Sequence, residues 1–324
     1  MAKILITERT TYLDRIINGL KYYGEIVVAD STEEEVLASL VQDADLLIVA
    51  LAKITENIIE SAKKLRGIIR CGTGVDNIDL NAATRRGIPV IAIPDYATNA
   101  VAEFTIALMF ALVKKIPQAH IYMRNKEYIN RPWVSRPREL LGIELKEKTL
   151  GIIGFGRIGR AVAEKAKELG LRILVYDPYL SPEVIKELST HYTFTDLETL
   201  LRNSDIVSIH CPLTKETYHL INEDKLRLMR KTAYIINTAR GSIIDEKALY
   251  KALKEKWIAG AAIDVYEEEP PSPNNLLFEL DNIILTPHIA WYTEESMLRL
   301  ADAVVDEAIK ILEGKPSTLS LIHI

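Results

Sequence analysis

Cysteine is almost missing from this chain. Cys71 and Cys211 are the only two among 324 residues, they share no metal-ligand or redox-motif spacing, and the pair reads as reduced, structural thiols of an intracellular protein. Long apolar runs are missing too. The longest uncharged one, Phe104 to Val113, is too short to span a bilayer, and the opening MAKILITERT holds no apolar signal region. The expectation is a cytoplasmic protein with no membrane partner. There is no excess of positive charge either: 40 Lys and Arg against 45 Asp and Glu give a net charge of −5 and a pI near 5.8. A nucleic-acid partner would want a basic face, so none is expected. No segment is biased enough to suggest disorder, and no metal site is expected.

What is present is a globular composition, 48% hydrophobic and 26% charged, in a chain longer than one core usually supports, which implies two domains. Its organising stretch runs from Thr149 to Asp177, TLGIIGFGRIGRAVAEKAKELGLRILVYD. A short apolar run, Leu150 to Ile153, has the length and β-branching of a buried strand. Gly154, Gly156 and Gly159 follow in GxGxxG spacing: the first permits a tight turn, the second lets amides approach a pyrophosphate, and the third lets the next helix pack close. That helix is expected from Ile158 to Leu169, and Gly170 ends it. A second apolar run, Leu171 to Tyr176, delivers Asp177 about 20 residues past the glycines, where a carboxylate can accept hydrogen bonds from ribose hydroxyls. A lone GxGxxG is weak evidence, but here strand, helix and acid are all in place. The acid would repel a 2′-phosphate and no arginine follows it directly, so NAD is favoured over NADP.

The first hundred residues alternate strand and helix patterns. Apolar strands at 4–7, 26–29, 46–50, 67–70 and 90–93 are separated by helical segments at 12–22, 33–41 and 56–65, the pattern of a parallel sheet with helices on both faces. The loop Arg70-Cys-Gly-Thr-Gly-Val-Asp-Asn77 follows one of these strands. Its glycines around Thr73 either turn successive amides toward an anion such as a carboxylate or serve only chain reversal. Asn99 to Ile116 is apolar nearly all round and reads as a buried helix, a crossover or a subunit interface, with Glu103 as a buried carboxylate near its N-terminus. Tyr122 to Leu141 is polar, with Arg131, Pro132, Trp133, Arg136, Pro137 and Arg138, and reads as loop and short helix covering an active site.

Past Asp177 the alternation continues, with strands at 206–210, 234–237, 261–265 and 283–285. Helices are expected near 197–201, 223–228, 246–255 and 294–312. Ligands of such sheets sit beyond the carboxyl ends of the strands, which here carry Cys211-Pro-Leu-Thr214, Thr238-Ala-Arg240-Gly241, Asp264 and Thr286-Pro-His288. Three charged groups make a chemical set. Arg240 could fork onto a carboxylate, His288 could give or take a proton near neutral pH, and Glu269 could orient that imidazole and raise its pKa. Taken singly each has a plainer role, as a surface ion-pair partner, a structural histidine and a solvated acidic turn. Their coincidence beside a dinucleotide motif favours the chemical one.

These motifs resemble the D-2-hydroxyacid dehydrogenase family over almost the whole chain. The segments that carry the resemblance are RCGTGVDNID at 70–79, NAVAEF at 99–104, GIIGFGRIG at 151–159, VYDPY at 175–179, HCPLT at 210–214, INTARG at 236–241, AAIDVYEEEP at 261–270 and TPHIA at 286–290. The resemblance implies an α/β fold of two doubly wound parallel-sheet domains. A Rossmann cofactor domain, residues 99–289, is inserted in a flavodoxin-like substrate domain made of 1–98 and 290–324. It also implies Arg240, Glu269 and His288 as the catalytic trio, Arg157 and Ile158 as amide donors to the pyrophosphate, and Cys211, Pro212, Thr217, Thr238 and Asp264 as further cofactor contacts. NAD is the implied cofactor, and a homodimer through the cofactor domain the implied assembly.

The substrate domain would meet the substrate through Arg70, Gly72, Thr73, Gly74 and Tyr96, with Arg240 as a further substrate contact. The VYDPY and GTGVDNIDLNAAT segments are similar to 3-phosphoglycerate dehydrogenases, but those commonly carry an arginine near the third strand end, where this chain has Val49, Ala50 and Leu51. They also carry a Gly-Asn loop where this chain has Tyr96 and Ala97. PDYATNAVAEF at 94–104 and HIAWYTEES at 288–296 are similar instead to D-lactate dehydrogenases and related 2-oxoacid reductases. A small unphosphorylated 2-oxo or 2-hydroxy acid is therefore expected, with D-3-phosphoglycerate as the alternative, its phosphate met by Arg70 and by Arg131, Arg136 or Arg138 from a neighbouring subunit. Some relatives of this family are NAD-sensing corepressors, which can keep the same trio, though no extended partner-binding tails occur here. An S-adenosylmethionine protein would also want glycines and an acid, but would give no reason for Arg240, Glu269 and His288.

Overall fold

The computed structural model describes residues 1–130, 136–317 and 319. The chain divides into two compact units, Met1–Ala97 with Tyr292–Ile324, and Thr98–Trp291.

The first unit is built on a five-stranded, all-parallel sheet of β1 (Ala2–Ile6), β2 (Gly24–Val28), β3 (Leu46–Val49), β4 (Ile68–Arg70) and β5 (Val90–Ala92), in the order β2-β1-β3-β4-β5. This is the flavodoxin-like order, and its direction reverses between β1 and β3. Central β3 is Leu-Leu-Ile-Val with every residue buried, as helices covering both faces require. Those helices are α1 (Leu13–Leu20), α2 (Glu34–Leu40), α3 (Glu56–Ser61), α4 (Leu80–Arg85) and, from the far end of the chain, α12 (Glu294–Leu312). Leu13, Ile16 and Leu20 form the buried stripe of α1. A Cβ at Gly19 would stand 2.7 Å from Val305 Cγ2, so glycine permits the close approach of α1 to α12. Thr293 and Ser296 close a reciprocal capping box at the start of α12.

The second unit holds a seven-stranded parallel sheet of β6 (Thr149–Ile153), β7 (Arg172–Tyr176), β8 (Thr193–Phe194), β9 (Ile206–Ile209), β10 (Tyr234–Asn237), β11 (Gly260–Ile263) and β12 (Ile283–Leu285). Their order, β12-β11-β10-β9-β6-β7-β8, is the Rossmann order with one added strand, and it reverses between β6 and β9. β6, β9, β10 and β11 are buried at every residue. The covering helices are α5 (Thr98–Val113), α6 (Ile116–Arg124), α7 (Arg157–Glu168), α8 (Pro182–Leu188), α9 (Leu197–Asn203), α10 (Glu223–Leu228) and α11 (Glu246–Lys254). Among the described residues, no helix is long and apolar enough to cross a membrane.

Three local expectations change. Glu103 is not buried: its side chain is 67% exposed and lies 3.7 Å from Lys165, because α5 keeps a narrow outward stripe at Glu103 and Ala107. The helix expected from Asn99 to Ile116 ends at Val113, and a separate helix, α6, starts at Ile116 and runs into the polar stretch. The two-residue β8, and α4 and α8, were not anticipated; β8 is too short for any periodicity, and α8 is announced only by its Ser181 cap and Pro182. Arg131, Pro132 and Trp133 lie outside the described residues.

Candidate active site

The turn from β6 into α7 is organised by its glycines. Gly154 has φ +89°, and a Cβ there would meet the Cys211 amide nitrogen at 2.5 Å; a Cβ on Gly159 would meet the Gly154 carbonyl oxygen at 2.2 Å. Those two glycines are required by the packing of strand, helix and the β9 loop. Gly156 differs, because a Cβ there would meet nothing within 4 Å. The space beside it is open, as a site for a pyrophosphate approaching the first turn of α7 requires, with Arg157 and Ile158 as its first helical residues. Asp177, just beyond β7, is held by two amides: Phe155 donates to Oδ2 at 2.8 Å and Tyr179 to Oδ1 at 3.0 Å. A carboxylate has acceptor capacity left after two such bonds. The glycine turn and the acid thus suit a dinucleotide.

The next strand ends carry the other expected groups. Beyond β9, the His210 ring nitrogen Nε2 lies 2.8 Å from Ser208 Oγ, and desolvation pushes this histidine down to about 3, so it stays neutral. Burial likewise raises the neighbouring Cys211 thiol to about 11. Thr217, expected to touch the cofactor, spends its hydroxyl on its own loop, donating to the Pro212 carbonyl at 2.6 Å and accepting from the Thr214 amide at 2.7 Å. Beyond β10, Thr238 is buried with its hydroxyl 3.0 Å from that of Thr105.

Arg240 sits on a tight turn that the sequence alone did not single out. Asn237, 1% exposed, donates through Nδ2 to the Arg240 carbonyl at 2.8 Å and accepts the Ala239 amide at 3.0 Å. Gly241 then passes so close to the loop after β11 that a Cβ would lie 1.9 Å from the Tyr266 carbonyl carbon. The signal for Asn237 was a buried amide at a strand end within INTARG, a residue that needs partners wherever it is enclosed.

His288 and Glu269 meet directly, with Nδ1 2.7 Å from Oε2. Burial works to raise Glu269, but the His288 hydrogen bond and charge, the Tyr266 amide at 3.0 Å and the Arg240 charge together hold it below the usual carboxylate range. Arg240 is therefore electrostatically coupled to this pair. His288 itself has φ +55°, a conformation costly for a non-glycine residue and kept only when its surroundings impose it. They do so through Asp264. Its carbonyl accepts the His288 amide at 2.8 Å, while its fully buried carboxylate accepts the Thr286 hydroxyl at 2.5 Å and the amides of Ile289 and Ala290 at 3.0 and 2.8 Å. Asp264, expected at the cofactor, spends both oxygens on the loop that carries His288.

In the first unit, β4 ends on Arg70, which donates through Nη1 to the Cys71 carbonyl at 2.6 Å, while its buried Nε makes no hydrogen bond. Gly72 has φ +145°, and a Cβ there would fall 1.5 Å from Arg70 Nη1 and 3.4 Å from the Tyr96 hydroxyl, so Arg70, Gly72 and Tyr96 are gathered together. The Gly72 amide donates to the Arg70 carbonyl at 2.8 Å, and the Thr73 hydroxyl to the Ile93 carbonyl at 3.2 Å. Gly74 continues the same loop. Tyr12, unnoticed in the sequence, belongs to this group: burial, then Cys71 and Tyr96, raise its phenol far above its ordinary value. Beyond β3, the Glu8 carboxylate accepts the amides of Ala50, Leu51 and Ala52, the last at 2.8 Å.

A profile of the D-isomer specific 2-hydroxyacid dehydrogenase NAD binding domain matches residues 106–290. The chain is 45% identical over 315 residues to a glyoxylate reductase of Thermofilum pendens, covering 94% of this chain and 91% of that one. It is 43% identical over 316 residues to a D-3-phosphoglycerate dehydrogenase of Methanocaldococcus jannaschii, covering 97% of this chain but 58% of that protein. Among solved structures, D-lactate dehydrogenase from Aquifex aeolicus, complexed with NAD and lactic acid, superposes with a TM-score of 0.89 at 31% identity, covering 99% of each chain. With a Rossmann sheet, an open glycine cradle, and a paired histidine and glutamate coupled to an arginine, this chain belongs to the D-isomer specific 2-hydroxyacid dehydrogenase family, oxidoreductases acting on CH–OH groups, and carries that family's NAD-binding domain.

Proposed function

We propose that this protein catalyses the reversible, NAD-dependent interconversion of a small unphosphorylated 2-oxo acid and its D-2-hydroxy acid, with glyoxylate and hydroxypyruvate as the first substrates to try. The observation that carries this reading is the 2.7 Å contact of His288 with Glu269, coupled to the charge of Arg240. Gly154, Gly156, Arg157, Ile158 and Gly159 hold the pyrophosphate and Asp177 the ribose, with Cys211, Pro212 and Thr238 bordering the remainder, while Thr217 and Asp264 shape the loops beside it. When bound, NAD supplies the hydride donor or acceptor at C2 of the substrate.

The chain's own residues do the rest. Arg240 binds the α-carboxylate and polarises the 2-oxo group. Glu269 engages Nδ1 of His288, which leaves Nε2 to deliver the proton to the reduced oxygen, or to take it back in oxidation. Arg70, Gly72, Thr73, Gly74 and Tyr96 are the substrate contacts of the first unit.

Several relatives 43–45% identical over most of their length bear the name glyoxylate reductase, which supports the small substrate. So does Glu8, because its carboxylate already occupies the amides beyond β3 and leaves them no capacity for a phosphate. The second reading, D-3-phosphoglycerate dehydrogenase, draws on the unbonded Nε of Arg70 and on the M. jannaschii relative. A cytoplasmic homodimer assembled through the second unit completes the proposal. Turnover of glyoxylate, hydroxypyruvate, pyruvate and 3-phosphohydroxypyruvate with NADH or NADPH, followed at the nicotinamide absorbance, tests it. Dominant activity on the phosphorylated acid would replace the first reading with the second. Cofactor-dependent assembly without turnover of any of these acids would favour a binding protein.

A further inference from the structure

The end of the seven-stranded sheet opposite the glycine turn, at the starts of β6 and β7, carries a cavity of about 560 Å³. Four basic side chains from four separate segments surround it: Lys167 from the last turn of α7, Arg172 at the start of β7, His191 ahead of β8, and Arg230 beyond α10. No carboxylate is among its lining residues. Lys167 Nζ lies 3.2 Å from His191 Nδ1, and among the described residues neither Lys167 nor Arg172 pairs with an acid. Arg230 is offset by Asp205, 3.2 Å away, whose other oxygen accepts the Thr149 amide. Placing cations together without anions between them is unfavourable unless solvent or a ligand supplies the opposite charge.

Both guanidinium groups are already tethered. Arg172 Nη2 donates to the Glu147 carbonyl at 3.1 Å, and Arg230 Nε to the Arg202 carbonyl at 3.1 Å. Each keeps further N–H donors, and a tethered fork gives up less freedom when it binds an anion. The two charges without an acid, Lys167 and Arg172, match the dianion of a phosphate monoester near neutral pH. Leu171, Ile173 and Leu174 supply apolar lining, and the exposed Thr193 and Asn203 add polar groups.

We propose that this cavity binds a small phosphorylated ligand, with the phosphate held by Lys167, Arg172 and Arg230 and the carbon skeleton against its apolar lining. The site is separate from the cofactor cradle at the other end of the strands and does not depend on which acid the enzyme reduces. Calorimetric titration of inorganic phosphate and of glycerol 3-phosphate into the full chain tests it, with the cradle saturated by NADH and the ionic strength held constant. The expected result is saturable binding, tighter for the ester, weakened about tenfold or more in Lys167→Ala/Arg172→Ala. Thr193→Asp, which adds a negative charge at an exposed rim position, should weaken it similarly, and the NADH affinity of each variant reports an intact second unit. Absence of saturation in the wild type, or affinity unchanged in both variants, would overturn the proposal.

Discussion

His288 Nδ1 and Glu269 Oε2 stand 2.7 Å apart although the histidine follows β12 and the glutamate follows β11. On the proposed mechanism the pair carries a pH signature. Reduction would need His288 protonated and oxidation would need it neutral, so the rate of reduction should fall, and that of oxidation rise, with increasing pH. Glu269 is held below the usual carboxylate range, so it supports the imidazolium until the pH falls through that depressed value, where the contribution of the pair is lost. Glu269→Gln should move the limb for reduction to lower pH, and His288→Asn should lower kcat by roughly 10²–10⁴-fold. Steady-state profiles in both directions check this; near-wild-type turnover in His288→Asn would remove the histidine from the mechanism.

Asn237 holds the turn under Arg240. Asn237→Ala deletes two hydrogen bonds in a buried place and should cost about 1–3 kcal/mol of stability. If it also positions the guanidinium, KM for the 2-oxo acid should rise more than kcat falls. Urea unfolding beside steady-state kinetics separates the two effects. A stability loss with unchanged KM would leave Asn237 a structural residue only.

Asp177 is pinned by the Phe155 and Tyr179 amides where a ribose would lie. Asp177→Ala should weaken NADH by about 10–100-fold, the worth of charge-assisted hydrogen bonds, while narrowing the preference against NADPH. Fluorescence titration with both cofactors measures each.

Desolvation lowers His210 from 6.5 to about 3. Between those values the unfolded chain binds a proton that the folded chain refuses, so stability falls as pH falls, by up to about 1.4 kcal/mol per pH unit. His210→Gln should flatten the dependence, as read from urea unfolding at pH 7 and pH 5.

Burial raises Cys71 to about 12 and Cys211 to about 11. Both thiols are therefore protonated at neutral pH, and alkylation of the native protein should be slow at both, becoming fast only in denaturant. Rapid native labelling of Cys211 would show that its loop opens.

Much of the sheet architecture was legible because it is written in short-range pattern. An all-apolar run such as Leu46–Val49 can be satisfied only between two helix layers, and the GxGxxG turn with its acid is a local device. Short elements escaped, since two residues of β8 carry no period, and Glu103 was misplaced because a mostly apolar helix hides a narrow outward stripe. In the site, residue type named Arg240, Glu269 and His288. It missed Asn237 and the bonds of Asp264 to the loop that carries His288, because buried hydrogen bonding is settled by which loops a strand end happens to face.

By itself, then, the sequence determined the two parallel sheets, the dinucleotide turn and the kinds of groups available for chemistry, since these follow from periodicity and from the side chains a turn or a proton transfer demands. Only the tertiary structure decided that Glu269 engages Nδ1 of His288, that Asp264 braces the loop behind it, that Glu8 fills the amides beyond β3, and that four basic residues share one cavity. Those relationships join residues distant along the chain, and their geometry is set by strand order and packing.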